Sequence, residues 1–153
     1  MKPDDFIAAV APAAQQSMAS TGIPASFTIA EGALESGWGS SQLVAQGKNI
    51  FGVKADKSWH GDTLTMQTSE FLHGEWVIVP ALWRKYDDWL DCIEDHARFL
   101  LDNPRYKDAF QHTTDGEAFA LAVAQAGYAT DPAYANKILS IMRSHDLHQY
   151  DVA

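Results

Sequence analysis

Between Thr63 and Val79 the chain changes texture, and this change constrains the fold more than any other feature of the sequence. TLTMQTSEF and EWVIV are rich in Thr, Val, Ile and aromatic residues, with His73-Gly74 between them, a pattern that predicts two strands joined by a turn. On either side, apolar residues recur every three or four positions, which is the helical period. The order is therefore helices, one short β lobe over about 57–82, then helices. It predicts an α+β fold, mainly α, in which the lobe forms one wall of an open cleft.

The helical segments have recognisable ends. Pro3 suits a first turn, Phe6, Ile7, Val10, Ala13, Ala14 and Met18 follow at helical spacing, and Thr21-Gly22 closes the helix. Pro24 opens a second helix, in which Ile23, Phe27, Ala30, Leu34 and Trp38 are expected to form one buried stripe. Gly37 and Gly39 stop it. A short helix over 40–46 behind Ser40 is expected next, then a loop marked by Gly47, Asn49 and Gly52. After the lobe, Asp87 or Asp88 caps a helix ending at Asn103-Pro104, Asp115 caps one ending at Gly127, and Asp131-Pro132 begins the last. With 153 residues, no repeat and no linker-like stretch, residues 1–153 read as a single domain.

Charge and cysteine usage narrow the function classes. Eleven Lys and Arg stand against 20 Asp and Glu, a formal net charge of -9, which makes nucleic acid and anionic membranes poor partners. The single Cys92 rules out an internal disulfide framework and reads as an inert buried thiol. No metal or other cofactor is expected. His145 and His148 lack companions for a zinc site, and Asp88, Asp91 and Asp95 lack calcium-loop spacing and read as a solvated helix face. No apolar run reaches the ~18 residues of a membrane span. The first residues, MKPDDFIAAVAPAAQQ, are unlike a signal peptide, so synthesis without one is expected.

The densest stretch is AEGALESGWGSSQLVAQGKNIFGVKA, residues 30–55. If Leu34 centres the buried stripe, Glu35 lies about 100° round the helix, at the stripe's edge. Partial burial and the negative end of the helix dipole both disfavour its carboxylate. Both favour the protonated acid, the form that gives a proton to a leaving group. A solvated last-turn glutamate is the competing reading from position alone.

Leu34, Glu35, Ser36, Gly37, Trp38 and Gly39, followed by Asn49, Phe51 and Gly52, resemble the signature of family 73 glycoside hydrolases. These are bacterial cell-wall N-acetylglucosaminidases, and they include the catalytic domain of the flagellar rod-assembly hydrolase. TSEFLHGEW at 68–76, WRKYDDWLDCIEDHARFLLDNPRY at 83–106 and AGYATDPAYANKI at 126–138 extend the resemblance over nearly the whole chain. It implies a lysozyme-like helical body with Glu35 as general acid. It also implies an endo-β-N-acetylglucosaminidase, cutting the β-1,4 bond after N-acetylglucosamine in peptidoglycan strands. A muramidase or lytic transglycosylase of the same fold is the enzyme alternative, and a catalytically silent glycan-binding or phage tail module is the alternative of another class.

The resemblance places a second carboxylate in the T-x-E block, at Glu70, with Glu75 beyond the turn as its rival. Strand alternation puts Glu70 on the face of Thr68 and Leu72, while Glu75 is expected to face solvent or the outer side. The second group would either activate water in an inverting reaction or be replaced by the substrate's own acetamido group. Tyr128 matches a tyrosine that lines the family's cleft and joins the catalytic candidates. Trp38, Phe51 and Trp59 are candidate sugar platforms, although Trp38 also belongs to the apolar stripe. Asn49 either caps its loop or reaches an acetamido group. Tyr134 is expected to pack, and is retained with Glu75 among the substrate-side candidates. The expected partner is peptidoglycan, met by a monomer in the periplasm after phage lysis or secretion into a target cell. An immunity protein would accompany the second route.

Overall fold

Ten consecutive residues, Pro24–Ala33, are buried, and they lead into and form most of one helix. That helix, α2 (Ala25–Ser36), runs through the middle of a computed structural model that describes residues 1–152. It follows α1 (Pro3–Thr21) and touches α1, the two later helices α5 (Gly116–Gln125) and α6 (Tyr134–Ser144), and a final 3-10 turn at Leu147–Tyr150. The single buried stripe expected for α2 is therefore corrected: it is enclosed on every side. Its small residues explain how. A Cβ on Gly32 would sit 3.0 Å from Ile50 Cγ2 and 3.4 Å from Phe6 Cζ, so glycine lets both neighbours close in. Leu34 is only half-buried, because the helix emerges from the core at its last turn.

The C-terminal segment caps the start of α2. The Asp151 carboxylate accepts from Ser26 N at 2.7 Å and from Ser26 Oγ at 2.5 Å, a negative group at a positive helix end. At the other end Gly37, Trp38 and Gly39 all have positive φ (58°, 59° and 78°). Trp38 N and Gly37 N both donate back to Ala33 O, and Ser36 Oγ accepts from Gly39 N. The left-handed turn costs a non-glycine residue roughly 1–2 kcal/mol. Trp38 offsets that by packing edge-on against Phe6 and His145.

Ser41, rather than Ser40, caps the short α3 (Gln42–Gly47), accepting from Val44 N. The β lobe is a single antiparallel hairpin, β1 (Thr63–Leu72) and β2 (Glu75–Arg84), which reaches two residues beyond the expected boundary. His73 and Gly74 both have positive φ, the two-residue turn whose twist matches the strands. Leu64, Met66, Thr68 and Glu70 share a partly buried face with Val77, Val79, Ala81 and Trp83. Phe71, Trp76, Ile78 and Leu82 on the other face are exposed. Glu75 pairs with Leu72, so it lies on the Glu70 face and not the outer side, and it meets solvent at the hairpin tip as expected.

Asp88 caps α4 (Trp89–Asp102), accepting from Asp91 N. A 3-10 helix at Pro104–Gln111, absent from the sequence reading, leads to α5, which Asp115 caps as expected. α6 begins at Tyr134, three residues later than Asp131, whose side chain instead accepts from Ala133 N. The Asp face of α4 is also corrected. Asp95 is not simply solvated but accepts from Arg84 Nη1 at 2.8 Å and from the Tyr86 hydroxyl at 2.6 Å. Those bonds tie the hairpin's end to the helical body.

Asn49 makes the second tie. Its Nδ2 donates to Val53 O and Arg84 O, both at 2.9 Å, and its Oδ1 accepts from Val53 N at 3.0 Å. Both donors and one of the two acceptor positions of this 1% exposed side chain are used within the protein. Replacing Asn49 by Ala should leave Val53 N without its acceptor and remove a donor from Arg84 O, while Val53 O keeps Arg84 N, and cost about 1–3 kcal/mol. A urea titration followed by far-UV circular dichroism should show the midpoint falling, with native helix content retained in water.

Candidate active site

Glu35 occupies the last turn of α2, immediately before the left-handed stop, and opens onto a depression of about 440 Å³. Phe51, Phe99, Tyr106, Tyr128, Ala129 and Thr130 complete its lining. The carboxyl meets water on the open side and protein on the other. That partial loss of solvent raises its pKa above the usual carboxylate value.

Beneath it lies an aromatic and polar floor. The His96 ring stacks on Phe51 with centroids 3.9 Å apart, and its Nε2 is hydrogen-bonded to the Tyr128 hydroxyl at 2.8 Å. Burial lowers the His96 pKa to about 4, only partly opposed by the Asp95 charge, so the ring is neutral at pH 7. The Tyr128 phenol is held well above its ordinary pKa by burial and the nearby Glu31 carboxyl, so it stays a neutral hydrogen-bonding group. One helical turn before Glu35, fully buried Glu31 accepts from the Tyr134 hydroxyl at 2.5 Å. Its pKa is pushed up to about 7, chiefly by burial and further by the charge of Glu35, against the opposing hydrogen bond from Tyr134.

Three sequence candidates thus meet at one depression: Glu35, Phe51 and Tyr128. The others are held elsewhere. Glu70 lies on the hairpin and accepts from Lys54 Nζ at 2.7 Å; Glu75 stands at the hairpin tip. Trp38 packs between Phe6 and His145, outside the depression's lining. Asn49 caps its loop. Trp59 donates to Asp62 O, meets Tyr86 edge-on and lies under Arg84, lining a different depression with Asp87, Asp91 and Asp95. Tyr134 is a buried partner of Glu31, a role packing alone does not describe.

Glu31, His96, Phe99 and Tyr106 were missed. Glu31 had a signal, because residues four apart share a helix face with Glu35. The other three come from α4 and the following 3-10 helix, and only the fold brings them to α2. A larger depression of about 540 Å³ is lined by charged groups that already pair with each other or with backbone, such as Arg143 with Glu117 and Asp151 with Ser26. No cluster of three metal-ligating side chains occurs among the described residues. Cys92 is buried and its thiol is pushed up to about 12 by burial, which leaves it unreactive.

A helical body with a small β lobe, and a partly desolvated glutamate at a helix end over an open aromatic floor, has the architecture of lysozyme-like glycoside hydrolases. A family model described as Glucosaminidase, mannosyl-glycoprotein endo-beta-N-acetylglucosaminidase, matches residues 11–147, and the chain belongs to this family, family 73 of the glycoside hydrolases. It is 42% identical over 142 residues to the peptidoglycan hydrolase FlgJ of Vibrio parahaemolyticus, covering 91% of this chain and 46% of that protein. The exo-glucosaminidase LytG of Bacillus subtilis is 39% identical over 82% of this chain and 45% of its own length. The chain thus spans less than half of these curated relatives. Among solved structures, the catalytic domain of the autolysin Auto from Listeria monocytogenes superposes with a TM-score of 0.88 at 31% identity, covering 97% of this chain and 87% of that one. A truncated glycoside hydrolase domain of FlgJ from Salmonella typhimurium gives 0.80 at 37%, covering 95% and 98%.

The neutral His96 has a thermodynamic consequence. A base whose folded pKa lies near 4, against about 6.5 when unfolded, contributes stability above pH 6.5 that is lost as pH falls through 4. Wild-type Tm should therefore drop between pH 7 and pH 4.5 more than that of His96→Gln, read by differential scanning calorimetry in matched buffers.

Proposed function

We propose that this domain hydrolyses the β-1,4 bond after N-acetylglucosamine in peptidoglycan glycan strands, with Glu35 as general acid. The observation that carries the reading is the raised pKa of a carboxyl that opens onto a groove floored by aromatic rings. Such a group keeps its proton nearer neutral pH than a solvated glutamate does, and can deliver it to the departing glycosidic oxygen. Exposed Phe99 offers a face to the apolar C–H surface of a pyranose ring, buried Phe51 backs the floor against His96, and Tyr128 offers a hydroxyl braced by His96. An open groove suits a polymer. The names of the relatives, FlgJ as a peptidoglycan hydrolase and LytG as an exo-glucosaminidase, support the substrate class.

Glu70 is the proposed second carboxylate. It projects from the partly buried face of the hairpin, two residue pairs before the turn, where it is ion-paired with Lys54. In an inverting reaction it would take a proton from the attacking water, which needs a carboxyl separation of about 6.5–9.5 Å. If the acetamido group of the substrate supplies the nucleophile instead, Tyr128 is placed to orient it. Delivery to the wall as a secreted antibacterial effector, with an immunity protein, is preferred over a phage lysin. A net charge of -9 suits work beside anionic membranes poorly. A type VI effector–immunity complex from Pseudomonas protegens shares the fold, with a TM-score of 0.57 at 16% identity, which speaks to fold alone.

Glu35→Gln keeps shape but has no proton to transfer, and should reduce dye release from purified sacculi at least ~100-fold with the fold intact. Near-wild-type release would remove Glu35 from the acid's role. Borohydride-reduced digests should carry glucosaminitol at the new ends; muramitol or anhydro-muramic ends would instead identify a muramidase or a lytic transglycosylase. Glu70→Gln should slow turnover more than Glu75→Gln, and the reverse order would exchange their roles.

A further inference from the structure

The glycosidase reading leaves Glu31 without a task. It sits on α2 one turn before Glu35 and is 0% exposed, a costly place for a carboxylate. Tyr134 of α6 donates to Oε2 at 2.5 Å and the nearby Tyr128 hydroxyl also favours the charged carboxylate, whereas among the described residues no group completes a hydrogen bond to the buried Oε1. The titratable groups around it are Tyr134, with Tyr106 behind it; Tyr128, which leans on His96 of α4; and Glu35 on its own helix. Every one is neutral or acidic at pH 7, and among the described residues no lysine or arginine forms an ion pair with Glu31. A buried carboxyl with one orphaned oxygen and no cation is a place to keep a proton. Its nearest acidic neighbour is the general acid.

We propose that Glu31 is a positioning residue for Glu35: the two carboxyls, one helical turn apart, titrate as a pair, and the buried member sets how high in pH the exposed member keeps a proton to give. The catalytic consequence rests on Glu35 being the acid; the pairing does not. Coupling of this kind is reciprocal, since each negative charge makes the other carboxyl harder to ionise. Burial and the Glu35 charge push Glu31 up to about 7, against the hydrogen bond from Tyr134. While a single proton remains in the pair, it is divided between the two sites. Glu35 is then partly protonated at pH values where a lone carboxyl of the same exposure would be fully ionised. The hydrogen bond from Tyr134 favours charge on Glu31, and so sends more of that proton to Glu35.

The direct test is a titration of the Glu35 side-chain carbon by 13C NMR, in the whole chain and in Glu31→Gln, which keeps the shape and an acceptor for Tyr134. The wild-type Glu35 signal should move in two steps, the second near pH 7 with Glu31, and the variant signal in one step. On soluble glycan, Glu31→Gln should match wild type near pH 5. At pH 7.5 it should lose about three- to tenfold in kcat, with KM unchanged, because one pKa unit is tenfold in protonated fraction. A one-step Glu35 curve in both proteins overturns the proposal, as does the same fractional loss of kcat at every pH. If Glu31→Gln does not fold, Tyr134→Phe serves. It removes the bond that favours charge on Glu31, so the second Glu35 step should move to higher pH, and an unmoved step overturns the pairing. A two-step titration in a chain that cuts no glycan would uphold the pair and sink the glycosidase reading.

Discussion

The enclosure of α2, followed at once by its left-handed stop, is the constraint on which the rest depends. Burying Ala25–Ala33 on all sides demands small residues where neighbours cross, as at Gly32 against Ile50 and Phe6 and at Gly116 against Ser26. The helix cannot continue past Ser36, because Gly37, Trp38 and Gly39 turn the backbone to positive φ while their amides bond back to the last turn. Glu35 thus stands where the helix leaves the core, beside half-buried Leu34. The loss of solvent that raises its pKa follows from that position.

Much of this was legible in the sequence, for reasons that can be stated residue by residue. The periodicity change at Thr63, the His73-Gly74 turn and the Asp115 cap are local signals, and the corresponding elements formed where local chemistry placed them. The place of Glu35 at a helix end was legible because nearby glycines mark that end, whereas its role as acid came from the family resemblance. Three things were not. The enclosure of α2 depends on what packs around it, which a stripe of apolar residues does not encode. The Asp95 bonds to Arg84 and Tyr86 join α4 to the hairpin across a fold-level contact, so a helix face that reads as solvated is a clasp. Glu31 looked like one more polar residue, since nothing in its neighbours announces that Tyr134 will close over it.

Body and lobe are built on different physics. The body is a continuous apolar core with long helices and an aromatic ladder running from Phe51 through His96 and Tyr128 to Tyr134. The lobe is two strands with no second layer, anchored at its base by Asn49, Arg84 and the Lys54–Trp83 bridge. A two-stranded ribbon is marginal by itself. Its tip therefore has far fewer interactions to lose than the floor of the groove, and the wall and the floor of one cleft have different local stabilities.

The placement of the tryptophans turns that asymmetry into an optical one. Four of the five lie between Trp59 and Trp89, in the lobe, the segment that leads into it and the first residue of α4, and Trp38 alone precedes them. Trp76 is 74% exposed on the hairpin's outer face, while Trp83 is tucked against Lys54 on the inner one. Emission from this protein is accordingly weighted towards the lobe, and circular dichroism towards the helices. The two spectroscopies divide the molecule along the line where wall meets floor, so a reagent or glycan that stirs only the wall has a colour of its own.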